Sequence, residues 1–182
     1  MRIACIAWGS LLWKPGALKL ASEWMAGGPA LPIEFLRDSD DSDELAIVIS
    51  EGVPLMPTYY AILDTESLEE ARAMLHEREK VAAGHPEWIG SVPAVCGAAT
   101  DPRVAAWLDG QDLDAVVWTA VPPKFFKQEG RAPTADEAVA FLAGLTGMTR
   151  QHAQEYVQRI PAPIRTAYRK RFEHDLAWTP IA

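Results

Sequence analysis

The sequence predicts an α+β fold, and three observations carry that reading. Short apolar runs of β type crowd the first third, one amphipathic helix stands in the middle, and the last third turns helical. Strands and helices therefore do not alternate as βαβ units require. Of the 182 residues 49% are apolar, enough for one ordinary core and short for two, so Met1 to Ala182 reads as a single domain.

The elements follow in order. Arg2 to Trp8 is an apolar run that stops at Gly9, as a buried strand entering a loop does, and Pro15-Gly16 closes that loop. Ala17 to Met25 reads as a short helix, broken by Gly27-Gly28-Pro29 before a strand from Leu31 to Leu36. The polar run Asp38 to Asp43 then turns the chain into Leu45 to Ile49, which makes a hairpin. Thr58 to Leu63 is a fourth strand, and Asp64-Thr65 caps a helix that runs to about Lys80. Ala83 to Ala99 carries three glycines and two prolines and reads as irregular; Pro102 to Leu108 is a short helix. Leu113 to Val121 is a strand stopped by Pro122-Pro123, and helices follow over Thr134 to Leu145, Thr149 to Ile160 and Pro163 to His174.

Charge and composition exclude several functions. Lysine and arginine number 17 against 25 aspartates and glutamates, and a net charge of −8 does not suit nucleic acid, whose phosphates need concentrated cationic surface. The basic run Tyr168-Arg169-Lys170-Arg171 fans over several helix faces and reads as solvated. No apolar stretch approaches the ~20 residues that cross a bilayer. Cys5 and Cys96 form neither a disulfide framework nor a zinc spacing, and Trp8, Gly9, Ser10 and Lys14 interrupt the N-terminal apolar run before it resembles a signal peptide. The expectation is a cytoplasmic protein without metal or cofactor: no two histidines share a ligand spacing, and the Asp38 to Glu44 run lacks the glycine and distal glutamate of a calcium loop.

Two places can carry chemistry. At about 100° per residue, Leu68, Ala71, Met74 and Leu75 form one helical stripe, and Glu79 falls on it four residues after Leu75, whereas Glu77 points away with Glu66 and Glu70. A carboxylate at the end of a core-facing stripe is partly desolvated, which raises its pKa and suits it to exchange a proton near neutral pH. The plainer reading is a solvated or ion-paired glutamate between Arg78 and Lys80. The second place is the turn after the first strand, Trp8-Gly9-Ser10-Leu11, where glycine permits close backbone approach and successive N–H groups can face an anion. It equally fits an ordinary strand-ending turn. Arg37, at another strand end, has the planar fork that grips carboxylates, or serves in a surface ion pair. Of the tryptophans, Trp13, Trp88 and Trp107 are candidates for a pocket wall, while Trp118, in mid-strand, reads as core.

The run Trp8-Gly9-Ser10-Leu11-Leu12-Trp13 and the triplet Arg78-Glu79-Lys80 together resemble the gamma-glutamylcyclotransferase-like superfamily, most of all its ChaC-like branch. That branch has a Tyr-Gly-Ser-Leu loop after its first strand and a catalytic glutamate in an Arg-Glu-Lys triplet at a helix end. The likeness continues in order through Phe35 to Ser39, Thr58 to Leu63, Val116-Val117-Trp118 and the C-terminal helices. The resemblance implies a small mixed β-barrel, closed or nearly so, with surrounding helices. It implies a reaction in which a γ-glutamyl compound cyclises to 5-oxoproline and releases an amine or amino acid. Glu79 would be the general acid/base, with Trp8, Gly9, Ser10, Leu11 and Arg37 as the candidate substrate-binding residues. There are two departures. Trp8 stands where the family has tyrosine, and Val81-Ala82-Ala83-Gly84-His85 replaces the glycine-rich, tyrosine-bearing continuation of the ChaC-like branch, so the resemblance does not reach a glutathione-specific pocket. A non-catalytic protein of the same fold that binds a small carboxylated metabolite is the alternative, and a partner-binding module built on the C-terminal helices is a third; oligomeric state is not legible.

Overall fold

The apolar run at the N-terminus forms strand β1 (Ile3–Ala7), with all five residues buried. It pairs in parallel with β6 (Ala115–Thr119), Ile3 opposite Ala115 and Ile6 opposite Trp118, and antiparallel with β4 (Leu55–Ile62), Ala7 opposite Tyr59. A strand flanked on both edges and covered on both faces needs no polar alternation, which is why it reads as continuous apolar sequence. The computed structural model describes residues 1–39, 44–82 and 84–181.

The chain gathers into two compact units, the first of residues 1–31 and 57–121 and the second of residues 32–56 and 122–182. In the first, the strand order is β5 (Ile89–Val92), β6, β1, β4 and then β2 (Met25–Asp38), which gives its residues up to Leu31 to this unit. Helix α1 (Leu68–Arg78) lays Ala71, Met74 and Leu75 on Ile3, Cys5, Ala7, Ala115 and Val117, with Leu11, Leu63 and Val81 completing that core. Each fully buried aliphatic side chain there contributes about 2 kcal/mol of transfer free energy. Helix α2 (Pro102–Leu108) starts at Asp101, whose carboxylate accepts from the Arg103 N–H and pairs with its guanidinium at 2.6 Å.

In the second unit, residues 32–38 of β2 pair antiparallel with β3 (Leu45–Ile49), Ile33 opposite Ile49, with a bulge between Phe35 and Arg37. Beyond β2 come β7 (Lys124–Phe125) and β8 (Gln128–Glu129). Helices α3 (Ala135–Gly144), α4 (Gly147–Arg159) and α5 (Ala167–Leu176) complete it, and Phe35 meets Phe172 and Tyr156 edge to face at 5.3 and 6.4 Å. Two buried charges hold the helices. Glu34 accepts from the Thr166 hydroxyl and from the N–H groups of Phe35 and Tyr168, so a strand carboxylate caps α5. Arg169 donates to the carbonyls of Ile160, Pro161 and Ile164 and thereby closes the end of α4. None of the described helices is long and apolar enough to cross a membrane.

The α+β class stands, as a mixed sheet with five helices among the described residues. A closed barrel is not shown among the described residues. Within each unit the strand order is an open path, and no described pairing joins β5 back to β2 or β3 to β8.

Four element readings also change. Residues 17–25 are not a helix. Leu20 bridges Leu63, the Ala21 N–H donates to the Ile62 carbonyl and the Lys19 carbonyl accepts from Asp64, so this backbone is spent on extending β4. Gly27-Gly28-Pro29 does not break β2. A Cβ on Gly28 would stand 2.5 Å from Thr58 Oγ1, so glycine is what lets the strands close, and the buried Pro29 offers its carbonyl to the Thr58 hydroxyl. The cap of α1 is Ser67 rather than Asp64-Thr65. The stretch after α1 contains β5. The β7–β8 hairpin turns at Phe126 and Lys127, which both have positive φ without a glycine. Asp40 to Asp43 of the acidic turn, and Ala83, lie outside the described residues.

Candidate functional site

The C-terminus of α1 is a Schellman stop. The Lys80 N–H bonds the Glu77 carbonyl and the Val81 N–H reaches back to His76, while Lys80 itself takes a left-handed φ of 51°. Val81 folds onto the same core as Leu75. Glu79 is thereby fixed as the last residue in helical conformation, with its N–H on the Leu75 carbonyl. Its side chain is 18% exposed and that of Arg78 16%, whereas Glu77 is exposed, so the inward stripe does end on Glu79.

The turn after β1 is a single 3-10 turn, Ser10–Leu12, entered from Gly9 and closed by the N–H groups of Leu12, Trp13 and Lys14 on the carbonyls of Gly9 and Ser10. Trp8 and Leu11 are buried at 5% and 6% exposure, and they anchor the turn to the core while Gly9 and Ser10 stay half-buried at its surface.

Arg78 joins the two places. Its Nη2 donates to Ser10 Oγ at 2.9 Å, its Nε to the Lys14 carbonyl at 3.0 Å, and its Nη1 pairs with Glu79 Oε1 at 3.2 Å. Gly16, at φ 61°, lets the loop lie against the arginine stem, since a Cβ there would meet Arg78 Cγ at 3.0 Å. Beneath them lies Cys5, whose thiol is pushed far up by burial and further by the Glu79 carboxylate, with Arg78 opposing. That buried thiol is a neutral floor and not a nucleophile.

Of the residues that the sequence singles out, Glu79 and Ser10 are brought to one arginine, with Gly9 and Leu11 in the same turn as the serine. The arginine itself is not among them. The available signal was position: Arg78 follows Met74 by four residues and so flanks the buried stripe. Arg37 belongs to the second unit, where it donates to both Glu129 carboxylate oxygens at 2.7 and 3.0 Å and to the Pro122 carbonyl. Trp118 is core, its indole lying over Gly90. A shallow recess lined by Arg2, Ile62, Leu63, Asp64, Glu66 and Asp114 contains none of these residues.

No family model matches the sequence, and no curated protein matches it. Among solved structures, a yeast gamma-glutamyl cyclotransferase specific to glutathione is similar, with a TM-score of 0.55 and 13% identity over 97% of this chain and 98% of that one. Its selenomethionine-labelled form aligns at a TM-score of 0.47 with 15% identity, over 100% of this chain and 89% of the other. The chain thus has the gamma-glutamyl-cyclotransferase-like fold.

Proposed function

We propose that this protein is an enzyme of the gamma-glutamyl cyclotransferase type, with Glu79 as general acid/base. The observation that carries the reading is the Ser10–Arg78–Glu79 cluster: a partly buried carboxylate, held by a guanidinium, beside the turn that leaves the first strand. The fold shared with the yeast enzyme supports it.

In the reaction a γ-glutamyl compound folds on itself. Glu79 takes a proton from the substrate α-ammonium, and the freed amine attacks the γ-carbonyl carbon, so a C–N bond forms and closes the five-membered ring. The attacking nitrogen gives up its second proton as the ring closes, the proton on Glu79 passes to the leaving nitrogen as its C–N bond breaks, and 5-oxoproline departs with an amine or amino acid that takes up that second proton. Because both reacting groups belong to one molecule, positioning supplies much of the acceleration. The first N–H groups of the Ser10–Leu12 turn have no intrahelical partner, and those of Gly9, Ser10 and Leu11 suit the substrate carboxylate or the oxygen that gains charge. Trp8, being buried, supports the turn through its bulk and offers the substrate no hydroxyl. The yeast enzyme's specificity for glutathione does not carry over with the fold, and γ-glutamyl amino acids and amines are substrate candidates of equal standing.

The test is incubation of the protein with γ-glutamyl amino acids, γ-glutamyl amines and glutathione, with 5-oxoproline followed by mass spectrometry. Glu79→Gln is expected to keep the fold and to lower kcat by roughly 10²- to 10⁴-fold. Retention of most of the activity removes Glu79 from its role. No release from any substrate by folded protein leaves a metabolite-binding protein of the same fold.

A further inference from the structure

Resting on the reading just given, we infer that Arg78 is the positioning residue of this site. It takes the Ser10 hydroxyl as an acceptor, so that the hydroxyl proton is presented to an anionic group of the substrate, and it holds Glu79 in register with that serine.

The loop is folded around this side chain. One guanidinium meets three different oxygens, Ser10 Oγ, the Lys14 carbonyl and Glu79 Oε1, at 2.9, 3.0 and 3.2 Å, and Gly16 leaves room for its stem. A guanidinium has donors only, in a fixed plane, so where it meets a hydroxyl that hydroxyl must accept. A serine that accepts there keeps one proton to donate, and its direction is set by the bond already made. The α-carboxylate of a γ-glutamyl group is such an acceptor. Arg78 also joins side chains 68 residues apart in sequence, so it couples the direction of the Ser10 hydroxyl to the Glu79 carboxylate across a turn and a helix end that the core already brings together. Lysine has the charge without the fork and can serve one of the three oxygens well, not all of them.

Arg78→Gln is expected to lower kcat about 10²-fold, as a displacement of about 1 Å at a proton-transfer site does. Arg78→Lys should fall between, and far-ultraviolet circular dichroism should be unchanged in both. Ser10→Ala, which keeps Arg78 and is the milder change to the fold, should raise KM for γ-glutamyl substrates at least tenfold. In the Arg78→Gln background the same serine change should cost less than threefold, because its partner is already lost. If wild type and Arg78→Gln release 5-oxoproline within threefold of each other while Glu79→Gln is dead, the cyclotransferase reading stands and the role of Arg78 is wrong. Independent, multiplying effects of the Ser10 and Arg78 changes overturn the role as well. Wild-type protein that releases nothing overturns both.

Discussion

Gly90 faces Trp118 directly across the β5–β6 pair, and the two test whether the sheet under α1 is as tightly determined as its burial suggests. Trp118 is 1% exposed, and its indole occupies the place where a residue-90 side chain would stand. A Cβ on residue 90 would lie 2.1 to 2.5 Å from three indole atoms, more than an ångström inside van der Waals contact. The indole has no soft end to swing aside, and β6 is held on its other edge by β1, so β5 must move or Trp118 must leave its rotamer. Overpacking of this kind costs 1 to 3 kcal/mol in ordinary cores; with a rigid ring and a strand as the obstacles, Gly90→Ala should cost about 3 kcal/mol. The assay is guanidinium unfolding followed by circular dichroism at 222 nm, with the slope compared to confirm that the unfolded state is unchanged. In a Trp118→Leu background, where the obstructing ring is gone, the same substitution should cost less than about 1 kcal/mol, because the two sites are coupled through one contact. A loss below about 1 kcal/mol in the wild-type background would refute the packing argument, and equal losses in both backgrounds would refute the assigned cause.

Two further outcomes are expected in the second unit. Arg169→Met removes the donor for the carbonyls of Ile160, Pro161 and Ile164 at a fully buried position and should lower stability by about 3 to 5 kcal/mol, measured by the same unfolding assay; a change under 1 kcal/mol would show that water satisfies those carbonyls. Burial raises the pKa of Glu34, against the opposing hydrogen bonds from Thr166, Phe35 and Tyr168, so the folded state holds the proton more tightly than the unfolded chain. Its contribution to stability is therefore complete below the ordinary glutamate value of about 4.3 and falls away as pH rises through the raised folded value. Glu34→Gln should remove that slope, and stability curves of the two proteins that stay parallel from pH 4 to 7 would contradict it.

Most of the first unit was legible because its strands are simple cases. β1 and β6 are covered on both faces, so they show as unbroken apolar runs, and α2 begins at Pro102 and ends at Leu108 as its cap and proline dictate. What escaped was decided by partners far away in sequence. Gly27-Gly28-Pro29 is a breaker by local rules and a strand here because Thr58 approaches too closely for any side chain on Gly28. Ser10 and Arg78 are invisible as a pair for the same reason. Periodicity placed Glu79 on the inward face, but the side chain that pairs with its carboxylate there also answers to a turn 68 residues away.

The left-handed residue at the end of α1 ties these strands of evidence to chemistry. A Schellman stop is most comfortable with glycine, and an L residue in that conformation costs about 1 to 2 kcal/mol. Lys80 accepts that cost at φ 51°. Strain of this kind persists where the surroundings over-determine it. Here they do so from both sides: Val81 is drawn into the core with Leu75, and Arg78 is held by Ser10 and Lys14, which leaves the two residues between them no freedom to continue the helix. The carboxylate of Glu79 is thus fixed from its own backbone on one side and from the arginine on the other. A group that must take a proton from an ammonium and return it to a leaving nitrogen in the same cycle has to serve two positions without drifting from either. A helix end fixed at both flanks meets that demand better than a frayed one, and this is the physical reason to look for the chemistry at Glu79 rather than at the exposed carboxylates Glu66, Glu70 and Glu77 of the same segment.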